Sequence, residues 1–136
     1  MKSITTLNIE EIFDKYRNIA IVGISDSPER PSNKVAKYLH NSGFNIYPVN
    51  PKFENILGIK CYPDLKSIDF KIDIVDIFRR PDHVPAITDM AIEIGAKVIW
   101  MQLGVVNKEA AKKAKQHGLQ VVMDRCIKIE HQRMIK

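Results

Sequence analysis

The stretch from Asn18 to Ser42, NIAIVGISDSPERPSNKVAKYLHNS, limits what this chain can fold into more than any other. A short apolar run stops at Gly23, crosses a turn rich in Ser, Pro and Arg, and opens into apolar residues at helical spacing. Ile19 to Ile24 is apolar at both parities and largely β-branched, the pattern of a strand covered on both faces. Gly23 ends it where a side chain would obstruct close approach to the backbone. Pro31 and Ser32 mark a helix start, with Ser32 read as the N-cap, Val35, Ala36 and Leu39 as the buried stripe, and Gly43 as the C-terminal cap. The loop between them, with Ser25, Pro28 and Arg30, therefore faces a helix N-terminus, where free N–H groups and the helix dipole favour an anion.

The rest of the chain repeats this alternation. A leading amphipathic helix runs from Leu7 to Tyr16, with Asn8 as N-cap, Glu11 reaching back to it, a Leu7–Ile12 staple, and Ile9, Ile12, Phe13 and Tyr16 on one face. Phe44 to Asn50 reads as a second strand, followed by Pro51 and Lys52. Residues 53–69 read as an irregular connection with one helical turn at Asp64 to Ser67. Ile72 to Phe78 is a third strand, and Pro81 begins a helix with a stripe of Val84, Ile87, Ala91 and Ile94 that Gly95 closes. Lys97 to Leu103 is a fourth strand ending at Gly104. Asn107 caps a helix packed through Ala110, Ala111 and Ala114, and Leu119 to Met123 is the fifth strand.

Five strands alternating with helices imply right-handed βαβ crossovers and a parallel sheet: a doubly wound, Rossmann-like, three-layer α/β/α fold. At 136 residues one domain is expected. Sheets of this kind bind ligands beyond the C-terminal ends of their strands, beside the switch point in strand order. The candidate site is therefore Gly23 to Ser32, Asn50 to Lys52, Phe78 to Pro81, and Gln102 to Gly104.

Composition narrows the partners. The formal net charge is +5, but the Lys and Arg residues form no run and have no aromatic platform beside them, so nucleic acid is not expected. No apolar run approaches the roughly 20 residues of a membrane helix, and the N-terminus has no apolar signal core, so a cytoplasmic location is expected. Cys61 and Cys126 are far apart and lack metal-ligand spacing, so neither a disulfide framework nor a metal site is indicated. A homodimer is the default for so small a sheet.

The loops then select the ligand. The dinucleotide fingerprint requires three glycines, and only Gly23 is present. At the end of the second strand an NAD enzyme would place an acid on the ribose, whereas this chain has Asn50, Pro51 and Lys52. A cation there favours a ribose phosphate, which leaves NADP and coenzyme A; the long loop with Pro28 and Pro31 accommodates either.

Taken in order, VGISDSPERPSNKVAKYL, YPVNPK, DIVDIFRRP, WMQLGV and VVMDRCIKIEH resemble the signature blocks of the small stand-alone CoA-binding domain proteins, which are similar to the N-terminal CoA-binding domain of the succinyl-CoA synthetase α subunit. The resemblance implies a Rossmann-like domain holding CoA or acyl-CoA at the strand ends. It would set Gly23, Ser25 and the Arg30-Pro31-Ser32 turn against the ADP phosphates, and Asn50, Pro51 and Lys52 at the adenosine end, with Lys52 on the 3′-phosphate. Phe78, Arg79 and Pro81 would flank the cleft, Gln102 to Gly104 would close it, and Arg80 joins Arg30 and Arg79 as a candidate phosphate ligand. The synthetase's phosphorylated histidine belongs to a second domain that this chain lacks, so the expectation is a binding protein without ligase activity. The alternative is an NADP-binding, oxidoreductase-like protein.

Other chemistry reads less well. Gly23-Ile24-Ser25-Asp26-Ser27 is one residue from the nucleophile elbow, but Pro31 would fall inside the helix that an elbow enters directly. His40, His83, His117 and His131 are read as surface histidines. Cys126, after the fifth strand and beside Arg125, is either a small buried residue under a C-terminal segment packed through Ile127 and Ile129, or a partly exposed thiol able to form a mixed disulfide with the ligand. Asp124, Glu130 and His131 would tie that segment to the body.

Overall fold

The computed structural model describes residues 6–135, with side chains from Ile9 onward. The elements in chain order are α1 (Thr6–Lys15), β1 (Asn18–Val22), α2 (Pro31–Asn41), β2 (Asn45–Val49), β3 (Asn55–Ile56), β4 (Ile59–Lys60), β5 (Ile74–Ile77), α3 (Val84–Glu93), β6 (Val98–Met101), α4 (Lys108–Gln116), β7 (Gln120–Val122) and α5 (Ile127–Met134). Short 3-10 turns occupy Leu65–Ser67 and Pro81–His83. Five strands form one parallel sheet in the order β2-β1-β5-β6-β7. The chain winds outward from β1 to β2, then crosses back to β5 on the other side, so the switch point lies between β1 and β5. This is the doubly wound α/β fold that the alternating pattern predicts.

Each face of the sheet carries its own core. Ala20, Val22, Val75, Ile77, Ile99 and Met101 point to one side and pack on α3 and α4 through Val84, Ala91, Ala110, Ala111 and Ala114. Ile19, Ile21, Ile74, Val98 and Trp100 point to the other and meet Ile9, Ile12 and Phe13 of α1, Val35, Ala36 and Leu39 of α2, and Ile127 of α5. The alanine stripe of α4 lets that helix lie close to the strands, and Asn107 caps it as expected, its Oδ1 accepting the Ala110 N–H at 2.9 Å. α2 ends in a Schellman arrangement at Gly43 (φ +94°): the Phe44 N–H donates to the Leu39 carbonyl at 3.1 Å and that of Gly43 to His40 at 3.2 Å.

Several local expectations are corrected. α1 begins at Thr6, ahead of Asn8, so Asn8 lies inside the first turn rather than at the cap; the Leu7–Ile12 staple rests on a side chain outside the described ones. Pro31 is the first residue of α2 and Arg30 its N-cap, which moves Ser32 inside the helix. Residues 53–69 contain a hairpin, β3–β4, turned by Leu57 and Gly58 with φ of +57° and +73°, the two positive values a primed hairpin turn requires. In α5, Ile127 is buried but Ile129, two residues and roughly 200° further round the helix, is exposed; Glu130 and His131 share the inner face with Ile127. His131 is thus not a surface histidine. Its ring lies 5.0 Å from Phe13, 5.2 Å from Phe44 and 5.6 Å from Tyr38, centroid to centroid, and its Nδ1 shares a 2.7 Å hydrogen bond with the Tyr38 hydroxyl.

Asp76 stands in the middle of β5, in register with Ile21 on one side and Trp100 on the other, with no exposed surface and neither carboxylate oxygen hydrogen-bonded. Burial holds its carboxyl well above the usual carboxylate range, which favours the neutral acid in the folded protein.

Candidate functional site

The cleft opens where the fold rule puts it. β1 ends at Gly23 and β5 at Phe78, and the two ends touch: a Cβ on Gly23 would come within 2.3 Å of the Phe78 carbonyl oxygen and 2.6 Å of Arg79 Cδ. With φ at +87°, this position excludes every other residue twice over. The close approach that Gly23 permits is therefore first of all that of the protein's own β5 end.

Two cavities meet at this seam. The larger, about 630 Å³, runs from the start of α2 across the ends of β5 and β6 to α5, and is walled by Gly23, Arg30, Ser32, Phe78 to Pro81, Gln102 to Val105, Cys126 and Ile129. The smaller, about 220 Å³, lies toward β2 and α3, between Asn50-Pro51, the 63–65 segment, and Ile87 and Met90; Gly23 and Arg79 line both.

The β1–α2 loop is shaped by its own side chains. Ser32 Oγ accepts the Ser25 N–H at 2.9 Å, Ser25 Oγ accepts the Ser27 N–H at 3.0 Å, and Asn33 Nδ2 donates to the Ser25 carbonyl at 2.9 Å. Asn50 joins this loop to β2, its Nδ2 donating to the Ile24 carbonyl at 2.8 Å and its Oδ1 accepting the Lys52 N–H at 2.9 Å. These side chains hold the rim in shape. At the far end, Gln102 is buried and its Oε1 accepts the Ile127 N–H at 3.0 Å, capping α5, whose N-cap Cys126 makes no side-chain cap bond. The Gly104 N–H donates to Asp124 Oδ1 at 2.7 Å, Arg125 and Arg133 reach Glu130 Oε2 at 3.5 and 3.1 Å, and His131 meets Tyr38. Asp124 and His131 do tie the C-terminal segment to the body, whereas Glu130 pairs within the segment.

The electrostatics of the cleft are one-sided. Arg30, Arg79 and Arg80 line it, are exposed, and form none of the ion pairs found among the described residues. Three guanidiniums at one mouth, beside the N-terminus of α2, make a seat for a multiply charged anion. No group of three His, Cys, Asp or Glu side chains suited to a metal ion occurs among the described residues, and no described helix is long and apolar enough to cross a membrane.

Of the residues named from the sequence, Gly23, Arg30, Ser32, Phe78, Arg79, Pro81, Gln102 and Gly104 share the larger cavity, and Asn50 and Pro51 line the smaller. Ser25, Pro28 and Lys52 line neither. Ser25 is engaged inside the loop, while Pro28 and Lys52 are exposed at its rim. Cys126 is half-buried: it packs against the core beside Ile127 and also forms part of the wall of the larger cavity, so it is less buried than a purely packing residue would be. The sequence reading missed Val105 and Ile129, the α3 wall of the smaller cavity, and its 63–65 wall, which follows Tyr62 where the chain returns beside β2.

Residues 17–132 match the family described as CoA binding domain. The chain belongs to the CoA-binding domain family. It is 42% identical over 131 residues to the Bacillus subtilis protein YneT, spanning 96% of this chain and 97% of that one. A solved structure of a hypothetical protein from Pyrococcus horikoshii OT3 superposes with a TM-score of 0.93 at 43% identity over the full length of both. The ADP-forming acetate–CoA ligase I of Archaeoglobus fulgidus is 26% identical over 119 residues, which span 80% of this chain but 17% of the ligase. The relation to CoA ligases is thus to one segment of a much longer protein.

Proposed function

We propose that the protein binds coenzyme A without transforming it, with the adenosine at the β2 side, the diphosphate at the Gly23–Arg79 seam and the pantetheine arm along the larger cavity toward Cys126. The observation that carries this reading is the set of three arginines, outside every ion pair among the described residues, where two cavities of unequal size meet, in a chain of the CoA-binding domain family. A molecule with a compact aromatic end, a charged centre and a long flexible arm matches that division. Lys52, exposed just beyond Pro51, is within the reach of a long flexible side chain from a 3′-phosphate at the β2 end.

NADP is the weaker reading. The adenosine end is common to both ligands, so the distinction rests on the chain's membership of the CoA-binding domain family and on Gly23 standing without the second and third glycines of a dinucleotide fingerprint.

Calorimetric titration with CoA, 3′-dephospho-CoA, pantetheine and NADPH tests the reading. CoA should bind tightest and pantetheine, which lacks every phosphate, weakest. Lys52→Ala should weaken CoA about 10- to 100-fold and leave 3′-dephospho-CoA nearly unchanged, since a charge-assisted hydrogen bond is worth roughly 1.5–3 kcal/mol. Tight NADPH with no CoA binding would overturn the assignment. The direction of the arm has its own reporter. In oxidised CoA the Cys126 thiolate can attack the disulfide, forming a protein–CoA disulfide and releasing one CoA thiol. Intact mass should show a single adduct, absent in Cys126→Ala; an adduct on Cys61 instead would reverse the orientation.

A further inference from the structure

Two of the large apolar side chains left exposed on this protein, Leu103 at 67% and Ile129 at 43%, stand at the α5 end of the larger cavity. Together with Cys126 they also line a further depression of about 530 Å³, which continues past them to Met123, Arg125 and Arg133. The cleft therefore does not end at Cys126. It turns over an apolar sill into a second space.

The length of the pantetheine arm gives that space a use. Parallel strands are spaced about 4.8 Å apart, so the three steps from β1 through β5 and β6 to β7 cover about 14 Å. From the diphosphate to the sulfur the arm has thirteen bonds, about 16 Å when extended, on bond lengths like those of a peptide chain. With the diphosphate at the Gly23–Arg79 seam, the sulfur thus comes to lie at the sill, and whatever is attached to it lies beyond.

We propose that the ligand is an S-acyl CoA with an aliphatic acyl chain, seated on Leu103 and Ile129 beyond the thioester. This rests on the CoA reading above and on its orientation. Free CoA would leave both side chains bare, while a chain of a few methylenes covers them. The charged residues of the second space argue for an aliphatic chain over one tipped with a carboxylate. Arg125 and Arg133 both already point to Glu130, and the Asp124 carboxylate is bonded to the Gly104 N–H, so among the described residues that line this space an incoming carboxylate meets no cation outside an ion pair.

The test is a titration series of CoA, acetyl-, butyryl- and hexanoyl-CoA, with succinyl-CoA matched in length to butyryl-CoA. A fully buried methylene is worth roughly fourfold in affinity. On an open sill about twofold per methylene is expected, so over four methylenes hexanoyl-CoA should bind roughly 16-fold tighter than acetyl-CoA, and butyryl-CoA tighter than succinyl-CoA. Leu103→Gln and Ile129→Gln should each flatten the slope of the series; both side chains are exposed, and a thermal melt confirms that each variant is folded. Equal binding of all members, or the tightest binding by free CoA, overturns the proposal while leaving the CoA reading intact. Failure of every CoA compound to bind overturns the reading beneath it. A flat series with a change of sedimentation mass in Leu103→Gln would instead make the sill a protein contact and end the proposal.

Discussion

The two faces of the sheet are held by different chemistry. Among the described residues, the buried polar side chains Ser32, Asn33, Asp76, Gln102, Glu130 and His131 all lie on the face covered by α1, α2 and α5, and only Thr88 lies on the α3–α4 face. The α3–α4 face is a plain apolar fit, in which alanines of two helices meet Val, Ile and Met of the strands. The other face opens into the main cleft. Its helices must be held at a fixed height above the strand ends, and directional hydrogen bonds such as Gln102 to Ile127 and Tyr38 to His131 set that height where apolar packing alone would let it slide. Directional hydrogen bonding and titratable stability are thus concentrated in one layer.

The largest effect expected from this contrast is on the plain face. Ile99→Ala removes a fully buried side chain and should cost about 2–5 kcal/mol, by the same amount at pH 5 and at pH 8, in urea denaturation. A strong pH dependence of that loss would break the comparison.

Asp76→Asn should act in the opposite sense. The native carboxyl keeps a proton that the unfolded chain releases above about pH 4. The contribution of Asp76 to stability is therefore complete below that pH and is lost as pH rises toward its native value. The Asn variant should be more stable than the parent at pH 8, by on the order of 1 kcal/mol or more, and about equal to it at pH 3. A destabilised variant at pH 8 would mean that the carboxylate is held ionised by a partner.

His131 gives the smallest effect. Burial, and then the Arg17 guanidinium, which sits over the Phe44 ring at 4.8 Å, lower the affinity of the imidazole for a proton. The unfolded chain takes up that proton near pH 6.5, so stability is complete above this value and lost as pH falls through it. His131→Phe should flatten the acid limb between pH 7 and pH 5, and cost about 1 kcal/mol at pH 8 because the Tyr38 hydroxyl loses its partner. An unchanged acid limb would assign it to other groups.

The strand–helix alternation was readable because each buried parallel strand is a continuous apolar run and each helix here repeats its apolar residues at helical spacing. Asn107 and Gly43 were readable because a cap is a local bargain between a side chain and its own helix. Ser32 misled for an equally local reason: Pro31 is well suited to the first helical position, which leaves Arg30 as the cap and frees the serine hydroxyl to accept from Ser25. His131 could not be read. Its partners Phe13, Tyr38 and Phe44 come from three separate stretches, and only the folded chain brings them around one ring. The site divides in the same way. Its β1 side follows from backbone demands that only certain residues meet, as at Gly23, whereas its α5 side depends on which face a short helix turns outward, and so Ile129 was read as core.

β2 lies at one edge of the sheet, a position that in many proteins invites further strands. Here the C-terminal part of that row is already engaged. The Tyr62 N–H donates to the Pro48 carbonyl and the Asn50 N–H to the Tyr62 carbonyl, both at 2.9 Å, and Pro48 has no N–H to offer. A second molecule approaching this border finds the ladder interrupted from Pro48 onward, so the hairpin that carries Tyr62 back to β2 also shortens the stretch open to the strand-on-strand stacking from which fibrils grow.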